Sequence, residues 1–244
     1  MKKLTAKKYR ELFKLRAEGK LGDMECTKSL YRLLEKIYFK GMKILDIPCG
    51  AGHYFRKIRE LGDIEYLGID LDLNAINIAK KIWKDVPNVK FEVQDVTKLD
   101  LKDNSMDVVY CYNLLLHLKS YEESLRELFR VSKRYLLVRS LFNEKENVQK
   151  VEVSKDYLGV YKSGFAYYNT YARDDVIKFL KGLVSCNVTF IKDTVTIPET
   201  SLKAQAKALG VKESEFTKGG GNKKQRLKDM PLNYEVLFVE KTSI

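Results

Sequence analysis

A glycine turn that directly follows a short apolar run places the strongest constraint on the fold. The apolar run covers residues 44–47, and the turn that follows it contains Gly50 and Gly52. A run of this length suits a buried β-strand, and glycine at its end lets a ligand approach bare backbone. Asp70 lies 18 residues after Gly52, at the predicted end of a second strand, where its carboxylate can accept hydrogen bonds from two ribose hydroxyls. The pattern predicts an α/β fold that binds a nucleoside.

Strand-like and helix-like segments alternate through most of the chain. Two amphipathic helices are predicted within the first 40 residues. The predicted strands span residues 44–47, 64–69, 89–93, 106–111, 135–138, 187–197 and 234–240. The predicted helices between them span residues 54–61, 73–83 and 174–183, with one more around residues 125–132. Such alternation predicts a parallel sheet covered by helices on both faces.

The composition excludes several other classes of protein. Hydrophobic residues make up 45% of the chain, which excludes a mostly disordered protein. The apolar runs are far shorter than the roughly 20 residues of a membrane helix, and the N-terminus lacks a secretory signal, so we expect a cytoplasmic location and no membrane partner. The four cysteines are too widely spaced for a zinc site, so we expect reduced thiols and no metal.

Positive charge is concentrated in two segments. The chain carries a net charge of +12, of which residues 1–42 contribute +7 (12 basic against 5 acidic side chains). Residues 199–232 contribute another +4 (8 against 4), so the remainder is nearly neutral. Basic segments of this kind can bind RNA phosphates, although lysine-rich surfaces also occur without nucleic-acid function.

The turn argues against a dinucleotide ligand. Gly50-Ala51-Gly52 supplies the first two glycines of a GxGxxG motif, but Phe55 replaces the third glycine. Asp46 would also place a carboxylate near a pyrophosphate, which is electrostatically unfavourable, whereas it suits a cationic ligand.

Four segments in this order resemble the class I S-adenosylmethionine-dependent methyltransferases. The resemblance covers about residues 43–141 and rests on residues 46–52, 68–71, 94–96 and 107–118. One departure is Pro48, where the family more often has glycine. The resemblance implies a three-layer α/β sandwich whose seven-stranded, mostly parallel sheet has an antiparallel last strand, with N-terminal helices and lid insertions.

The resemblance also implies S-adenosyl-L-methionine as cofactor, with a set of residues that bind it. Asp46 would lie near the methionine amino group, and Asn113 would use its backbone near the methionine moiety. The other implied roles are ribose binding by Asp70, adenine contacts by Leu71, Asp95 and Val96, and passage of Gly50 and Gly52 beneath the cofactor. Asp46 and Asp70 could alternatively act as helix or turn caps, and Asp95 could be a solvated carboxylate.

His117 is the candidate catalytic residue. A sulfonium methyl is already activated, so a base is needed only where the acceptor must lose a proton. His117 follows the fourth strand, at the edge where the ligand crevice of such sheets opens. Its alternative role is to cap or pack against the next helix. His53 could contact the cofactor carboxylate or the substrate, but it could also be a neutral neighbour.

The expected organisation is an N-terminal helical lid or extension, residues 1–42, followed by a methyltransferase domain, residues 43–244. Insertions at residues 142–172 and 198–232 are expected to roof the acceptor site. The first contains an aromatic set, which could line the acceptor site or pack as core: Tyr157, Tyr161, Phe165, Tyr167, Tyr168 and Tyr171. The second contains basic residues around Gly219-Gly220-Gly221, which could bind phosphate or simply be mobile.

These observations favour methyl transfer to an oxygen or nitrogen atom of a small polar metabolite, such as a sugar or glycan precursor. An RNA methyltransferase that uses the two basic segments is the first alternative. A noncatalytic binding module that keeps the cofactor fold is the second. The sequence leaves the oligomeric state open.

Overall fold

The computed structural model describes residues 6–152, 165–193, 207–208, 210 and 234–242. The helices that position the site are α1 (Ala6–Ala17), α2 (Glu25–Ile37), α3 (Phe55–Ile58), α4 (Leu73–Ile82), α5 (Glu122–Val131) and α6 (Arg173–Lys181). Short 3-10 helices lie at Arg59–Leu61 and Leu115–His117. The strands of the described residues are β1 (Met42–Asp46), β2 (Ile64–Asp70), β3 (Val89–Val93), β4 (Met106–Tyr112), β5 (Ser132–Asn143), β6 (Lys150–Glu152), β7 (Phe165–Tyr167), β8 (Thr170–Ala172), β9 (Cys186–Lys192) and β10 (Tyr234–Lys241).

The main sheet has the predicted parallel core and an antiparallel final strand. Its strand order is β3-β2-β1-β4-β5-β10-β9, and β1 to β5 are mutually parallel where they pair. β10 runs antiparallel to both of its neighbours, β5 and β9. The predicted α/β fold class is therefore confirmed, with β8 added as an eighth strand beside the end of β5.

Several element boundaries differ from the sequence prediction. The helix expected over residues 54–61 is a single α-helical turn, α3, that continues as a 3-10 helix. β5 is much longer than residues 135–138, and it includes Ser132, which the helical pattern had placed in α5. Long pairing partners explain the length, because β10 and β4 hydrogen-bond along most of β5. Residues 142–172 are more regular than expected, since β6, β7 and β8 lie there.

The core is divided between the two faces of the sheet. Neighbouring strand residues alternate between them: Ile44 packs on the face covered by α2, α3 and α4, whereas Leu45 packs on the face covered by α5 and α6. This alternation follows from the twofold period of a β-strand. Because both faces are covered, the middle residues of the central strands are apolar and buried, as the short apolar runs predicted.

The glycine turn after β1 is tied to the neighbouring strands. The Cys49 amide donates to the Ile69 carbonyl (2.9 Å), and the Ile47 amide donates to the Tyr110 carbonyl (3.1 Å). Gly52 has φ +72°, and a Cβ atom there would lie 2.6 Å from Trp83 Nε1 and 2.9 Å from Phe91. Gly52 is therefore a packing glycine that lets the turn lie against α4 and β3.

None of the described helices is long and apolar enough to cross a membrane. All four cysteines are buried free thiols. Within the described ranges, no group of three or more His, Cys, Asp or Glu side chains is arranged to hold a metal ion.

We predict that Gly52→Ala lowers the free energy of unfolding by more than Gly41→Ala. Both glycines have positive φ, so both substitutions incur about 1–2 kcal/mol of backbone strain. A Cβ at Gly41 meets no atom within 4 Å, whereas one at Gly52 collides with two aromatic side chains, which adds about 1–3 kcal/mol. Urea denaturation of the two variants measures the difference, and equal losses would contradict the packing role of Gly52.

Candidate active site

A cavity of about 500 Å³ opens at the carboxyl ends of β1, β2 and β4 and is covered by α1. Its lining includes seven of the nine residues that the sequence singled out for cofactor binding or catalysis: Gly50, Asp70, Leu71, Asp95, Val96, Asn113 and His117. Asp46 and Gly52 do not line it. The topology explains the convergence, because parallel strands bring their following loops to one edge of the sheet.

Asp70 holds two separate loops together. One of its carboxylate oxygens accepts from the Gly50 amide and the other from the Asp72 amide, both at 2.9 Å. Burial raises the pKa of Asp70, and these two amides oppose that rise because they stabilise the carboxylate. Each carboxylate oxygen can accept more than one hydrogen bond, so Asp70 retains capacity for ligand hydroxyls.

An apolar slot lies beside Asp70. Leu71 is 50% exposed, which is unusual for a leucine next to a buried strand, while Val96 is buried and also lines the cavity. Asp95 follows the end of β3 and accepts hydrogen bonds from the Thr97 amide (2.9 Å) and hydroxyl (2.8 Å). Two apolar side chains and one carboxylate can together hold a flat heterocycle with an exocyclic amine.

Asn113 is held in an unusual backbone conformation at the other end of the cavity. Its φ is +64°, in the left-handed region that asparagine tolerates better than most residues. Its backbone amide donates to the Arg139 carbonyl (3.0 Å), so the carbonyl is the backbone group that Asn113 can offer to a ligand. Its side-chain amide donates to Tyr54 Oη (3.4 Å).

Arg139 is a positioning residue that the sequence did not reveal. Its buried guanidinium donates to Asn113 Oδ1 and to the Asp193 carboxylate, and it stacks 3.8 Å from the centroid of the Tyr234 ring. The charge is therefore paired and hydrogen-bonded, as burial of an ion requires. The signal available in the sequence was an arginine directly after the apolar residues 136–138 of β5, opposite the end of β4.

Asp46 is buried beneath the site rather than exposed to it. Its carboxyl group accepts a hydrogen bond from the Tyr66 hydroxyl. Burial raises the pKa of Asp46 to about 8, which the Tyr66 hydrogen bond opposes. A cationic ligand nearby would favour the ionised form of Asp46.

The two histidines occupy different environments. His117 lines the cavity, and its Nδ1 lies 3.1 Å from the Tyr167 carbonyl oxygen, so Nδ1 carries the proton and Nε2 carries the lone pair. Burial lowers the pKa of His117, which keeps the ring neutral. His53 is stacked on Phe13 of α1, with ring centroids 4.5 Å apart, and burial lowers its pKa to about 3.

Helix α1 covers the cavity with Tyr9, Arg10 and Phe13. Arg10 forms an ion pair with Asp72 at 2.9 Å, and Asp72 is the residue that caps α4 and donates to Asp70. The sequence predicted a helical cover but not the residues that attach it.

The structure describes only part of the predicted aromatic set. Tyr171 is buried, and its hydroxyl donates to the Leu115 carbonyl (2.7 Å), so of the two roles open to the aromatic set Tyr171 has the one of core packing. Tyr168 lies near His117, with ring centroids 5.9 Å apart. Tyr157, Tyr161, the side chain of Phe165 and the basic cluster at residues 218–228 lie outside the described residues.

Comparison with known families decides the class of the protein. A family model described as a methyltransferase domain matches residues 38–196. The chain belongs to this methyltransferase family. The match covers the four motif segments and the strands that carry them, so it confirms the predicted family, enzyme class and S-adenosylmethionine cofactor at the level of the family.

Two kinds of curated relative share part of the sequence. Phosphoethanolamine N-methyltransferase 3 of Arabidopsis thaliana is 33% identical over 110 residues, which is 45% of this chain and 22% of the relative. Demethylmenaquinone methyltransferase of Staphylococcus aureus is 32% identical over 131 residues, which is 53% of this chain and 50% of the relative. The chain thus spans about a fifth to a half of the length of these relatives.

Solved structures support the fold. Magnesium protoporphyrin IX methyltransferase from Synechocystis, determined with bound S-adenosylmethionine, superimposes with a TM-score of 0.55 at 14% identity, covering 89% of this chain and 78% of that one. The [4+2]-cyclase SpnF superimposes with a TM-score of 0.57 at 17% identity, covering 87% of this chain and 80% of that one. Because one of these neighbours is named for a cyclisation, the fold by itself does not determine the reaction.

We predict that the stability of the ligand-free protein falls with rising pH through Asp46. Between about pH 4 and 8 the folded protein binds a proton at Asp46 that the unfolded chain releases, so raising the pH favours unfolding. Asp46→Asn removes this dependence. The free energy of unfolding of Asp46→Asn, relative to that of the natural protein, should therefore rise from pH 5 to pH 8 by up to about 1.4 kcal/mol per pH unit. Above about pH 8 the difference should stay constant.

Urea denaturation at a series of pH values measures this advantage. Tyr66→Phe serves as a second variant, since loss of its hydrogen bond raises the pKa of Asp46 further and should extend the falling range to higher pH. A stability difference between Asp46→Asn and the natural protein that does not change with pH would contradict the assignment.

Proposed function

We propose that this chain transfers a methyl group from S-adenosyl-L-methionine to an oxygen or nitrogen atom of a small polar molecule. The observation that carries the proposal is the convergence of an apolar slot, the Asp70 carboxylate and the Asn113 backbone along one covered cavity. These features match, in order, a heterocycle, a ribose and an amino-acid moiety.

The residues present suit the cofactor at each point. Leu71 and Val96 would flank the adenine while Asp95 accepts from its amine, and Asp70 would accept from the ribose hydroxyls. Gly50 brings bare backbone to the cavity wall with φ +54°. The carbonyl of Asn113 would face the ammonium group, and buried Asp46 would add negative potential beneath it. Gly52 contributes by packing and not by contact.

The chemistry needs little from the protein beyond placement and proton removal. The bound cofactor supplies an activated methyl group on a sulfonium. Helix α1 lines the cavity and would act as the lid that excludes water, so the N-terminal extension would form part of the site. Nε2 of His117, which has the lone pair, would accept the proton that a hydroxyl or ammonium acceptor must lose. The lowered pKa of His117 keeps this base available at neutral pH.

The position of helix α1 over the cavity favours a small acceptor over RNA. α1 encloses the cavity, whose volume of about 500 Å³ lies in the range typical of small-molecule sites. The relatives named above are called methyltransferases of phosphoethanolamine and demethylmenaquinone, both small compared with RNA. The RNA alternative depends on two basic segments. The first, residues 1–42, includes the helix that covers the cavity, and nearly all of the second, residues 199–232, lies outside the described residues. The two insertions remain our proposal for the acceptor-facing roof.

We predict that the natural protein releases S-adenosylhomocysteine when given S-adenosylmethionine and a suitable acceptor from a panel of amines, hydroxylated metabolites and sugars. His117→Ala should lower kcat by roughly 100-fold or more, because it removes a general base, while the affinity for S-adenosylhomocysteine stays the same. His117→Asn keeps an amide donor near the position of Nδ1 for the Tyr167 carbonyl but not the base, so it should be equally slow.

Exposed Lys119, two residues further along, provides the matched control, and Lys119→Ala should retain full turnover. Retained turnover in both His117 variants would overturn the base assignment. Failure of the natural protein to bind S-adenosylhomocysteine in calorimetry would overturn the proposed function itself.

A further inference from the structure

A second cleft lies between α5 and α6, on the face of the sheet that these two helices cover. Its volume is about 590 Å³, within the range typical of small-molecule sites. None of the residues that line it lines the cavity described above. Any ligand of this cleft is therefore additional to the cofactor and the acceptor.

The base of this cleft is aromatic and carries a hydroxyl without a partner. Tyr121 is 8% exposed, and its ring packs edge to face against Phe179 and Tyr171, with centroids 5.7 and 5.0 Å apart. Within the described residues, the Tyr121 hydroxyl has no hydrogen-bond partner, whereas the Tyr171 hydroxyl donates to the Leu115 carbonyl. Buried hydroxyls are normally hydrogen-bonded, so the Tyr121 hydroxyl points to a ligand group in the cleft.

Three carboxylates from three separate segments act on this hydroxyl. Glu122 belongs to α5, Asp175 to α6 and Glu146 to the residues after β5, and all three line the cleft. Burial, and then the charges of these carboxylates, raise the pKa of Tyr121 to about 12, so the hydroxyl keeps its proton. Carboxylates beside aromatic rings attract a cation such as an ammonium group.

Two cations line the same cleft further along the helices. Arg126 lies four residues after Glu122 on α5, and Lys178 lies three residues after Asp175 on α6. The two helices lead into strands of the same direction, because β5 and β9 both run antiparallel to β10. The acids therefore lie toward one end of the cleft and the cations toward the other.

These opposite charges do not neutralise one another, although the same spacing does so elsewhere in the chain. Glu25 and Lys28, and likewise Glu127 and Arg130, are an acid followed three residues later by a base, and each pair is joined at 2.7 Å. Within the described residues, Asp175 and Lys178 form no such pair.

Arg126 does not pair with a described carboxylate either, and its guanidinium carbon lies 5.2 Å from the centroid of the Phe179 ring. Both signs of charge thus remain accessible to a ligand.

We infer that the cleft between α5 and α6 binds a small zwitterion, with its ammonium group beside Tyr121 and the carboxylates and its oxyanion at Arg126 and Lys178. Three negative and two positive side chains line the cleft, so a polyanion or a purely cationic peptide would meet like charges. A molecule that carries both charges satisfies both sets. The inference does not depend on the proposed function, because the two cavities share no residue.

The test is a titration of the full chain followed by amide chemical shifts in NMR spectra. The probes are two zwitterions, 4-aminobutyrate and 2-aminoethylphosphonate, which present a carboxylate and a phosphate-like group. Butylamine and butyrate, which carry one charge each, are the controls. At least one zwitterion should shift the amides of Tyr121 and Lys178 saturably, with a Kd at least about fivefold lower than that of either control. The tighter zwitterion identifies the oxyanion.

Variants at the cleft separate the two ends of the site. Asp175→Asn and Lys178→Met should each raise the Kd of the zwitterion by about fivefold, since each removes one charge. Tyr121→Phe keeps the aromatic base and should raise it by roughly threefold. The matched controls are Asp174→Asn and Lys181→Met, at exposed positions of α6 that do not line the cleft, and they should leave the Kd unchanged.

Absence of saturable shifts with both zwitterions would overturn the inference. Equal affinity for a zwitterion and for butylamine or butyrate would also contradict it, because that result marks unspecific attraction to a charged surface. So would an unchanged Kd in both Asp175→Asn and Lys178→Met, whose exposed positions preserve the fold. If the natural protein bound no S-adenosylhomocysteine, the proposed function would fail while this titration would still decide the role of the cleft.

Discussion

The Asp70 carboxylate, shared between the Gly50 and Asp72 amides, is the interaction on which the site depends. It ties the turn after β1 to the loop after β2, so the bare backbone at Gly50 and the apolar side chain of Leu71 keep a fixed separation. The same loop carries Asp72, which caps α4 and holds Arg10 of α1. One half-buried acid thus aligns the turn, the slot and the cover.

A second polar chain runs beneath the other end of the cavity. It links Cys26, Tyr54, Asn113, Arg139 and Asp193, and so joins the N-terminal helices to the far strands of the sheet. Such a fully paired network holds Asn113 in its strained conformation and leaves the carbonyl for a ligand.

Most of the fold and part of the site could be predicted from the sequence. Apolar runs ended by glycine or aspartate indicated β1, β2 and the ribose-binding role of Asp70, whereas Val96 and Asn113 were implied by the resemblance to the methyltransferases. Sheet topology explains why these residues lie at one edge. What the sequence left undetermined has a common physical cause. The packing of Tyr171 and Gly52 involves distant elements, and the pairing of Arg139 with Asp193 joins residues 54 positions apart, which no local pattern encodes.

We propose that Asp70 and the loops it joins bind the adenosyl group. A crystal structure of the complex with S-adenosylhomocysteine would show this binding directly. We expect both ribose hydroxyls within hydrogen-bonding distance of the Asp70 carboxylate and the adenine between Leu71 and Val96. An adenosyl group bound elsewhere, or one whose ribose makes no contact with Asp70, would contradict it.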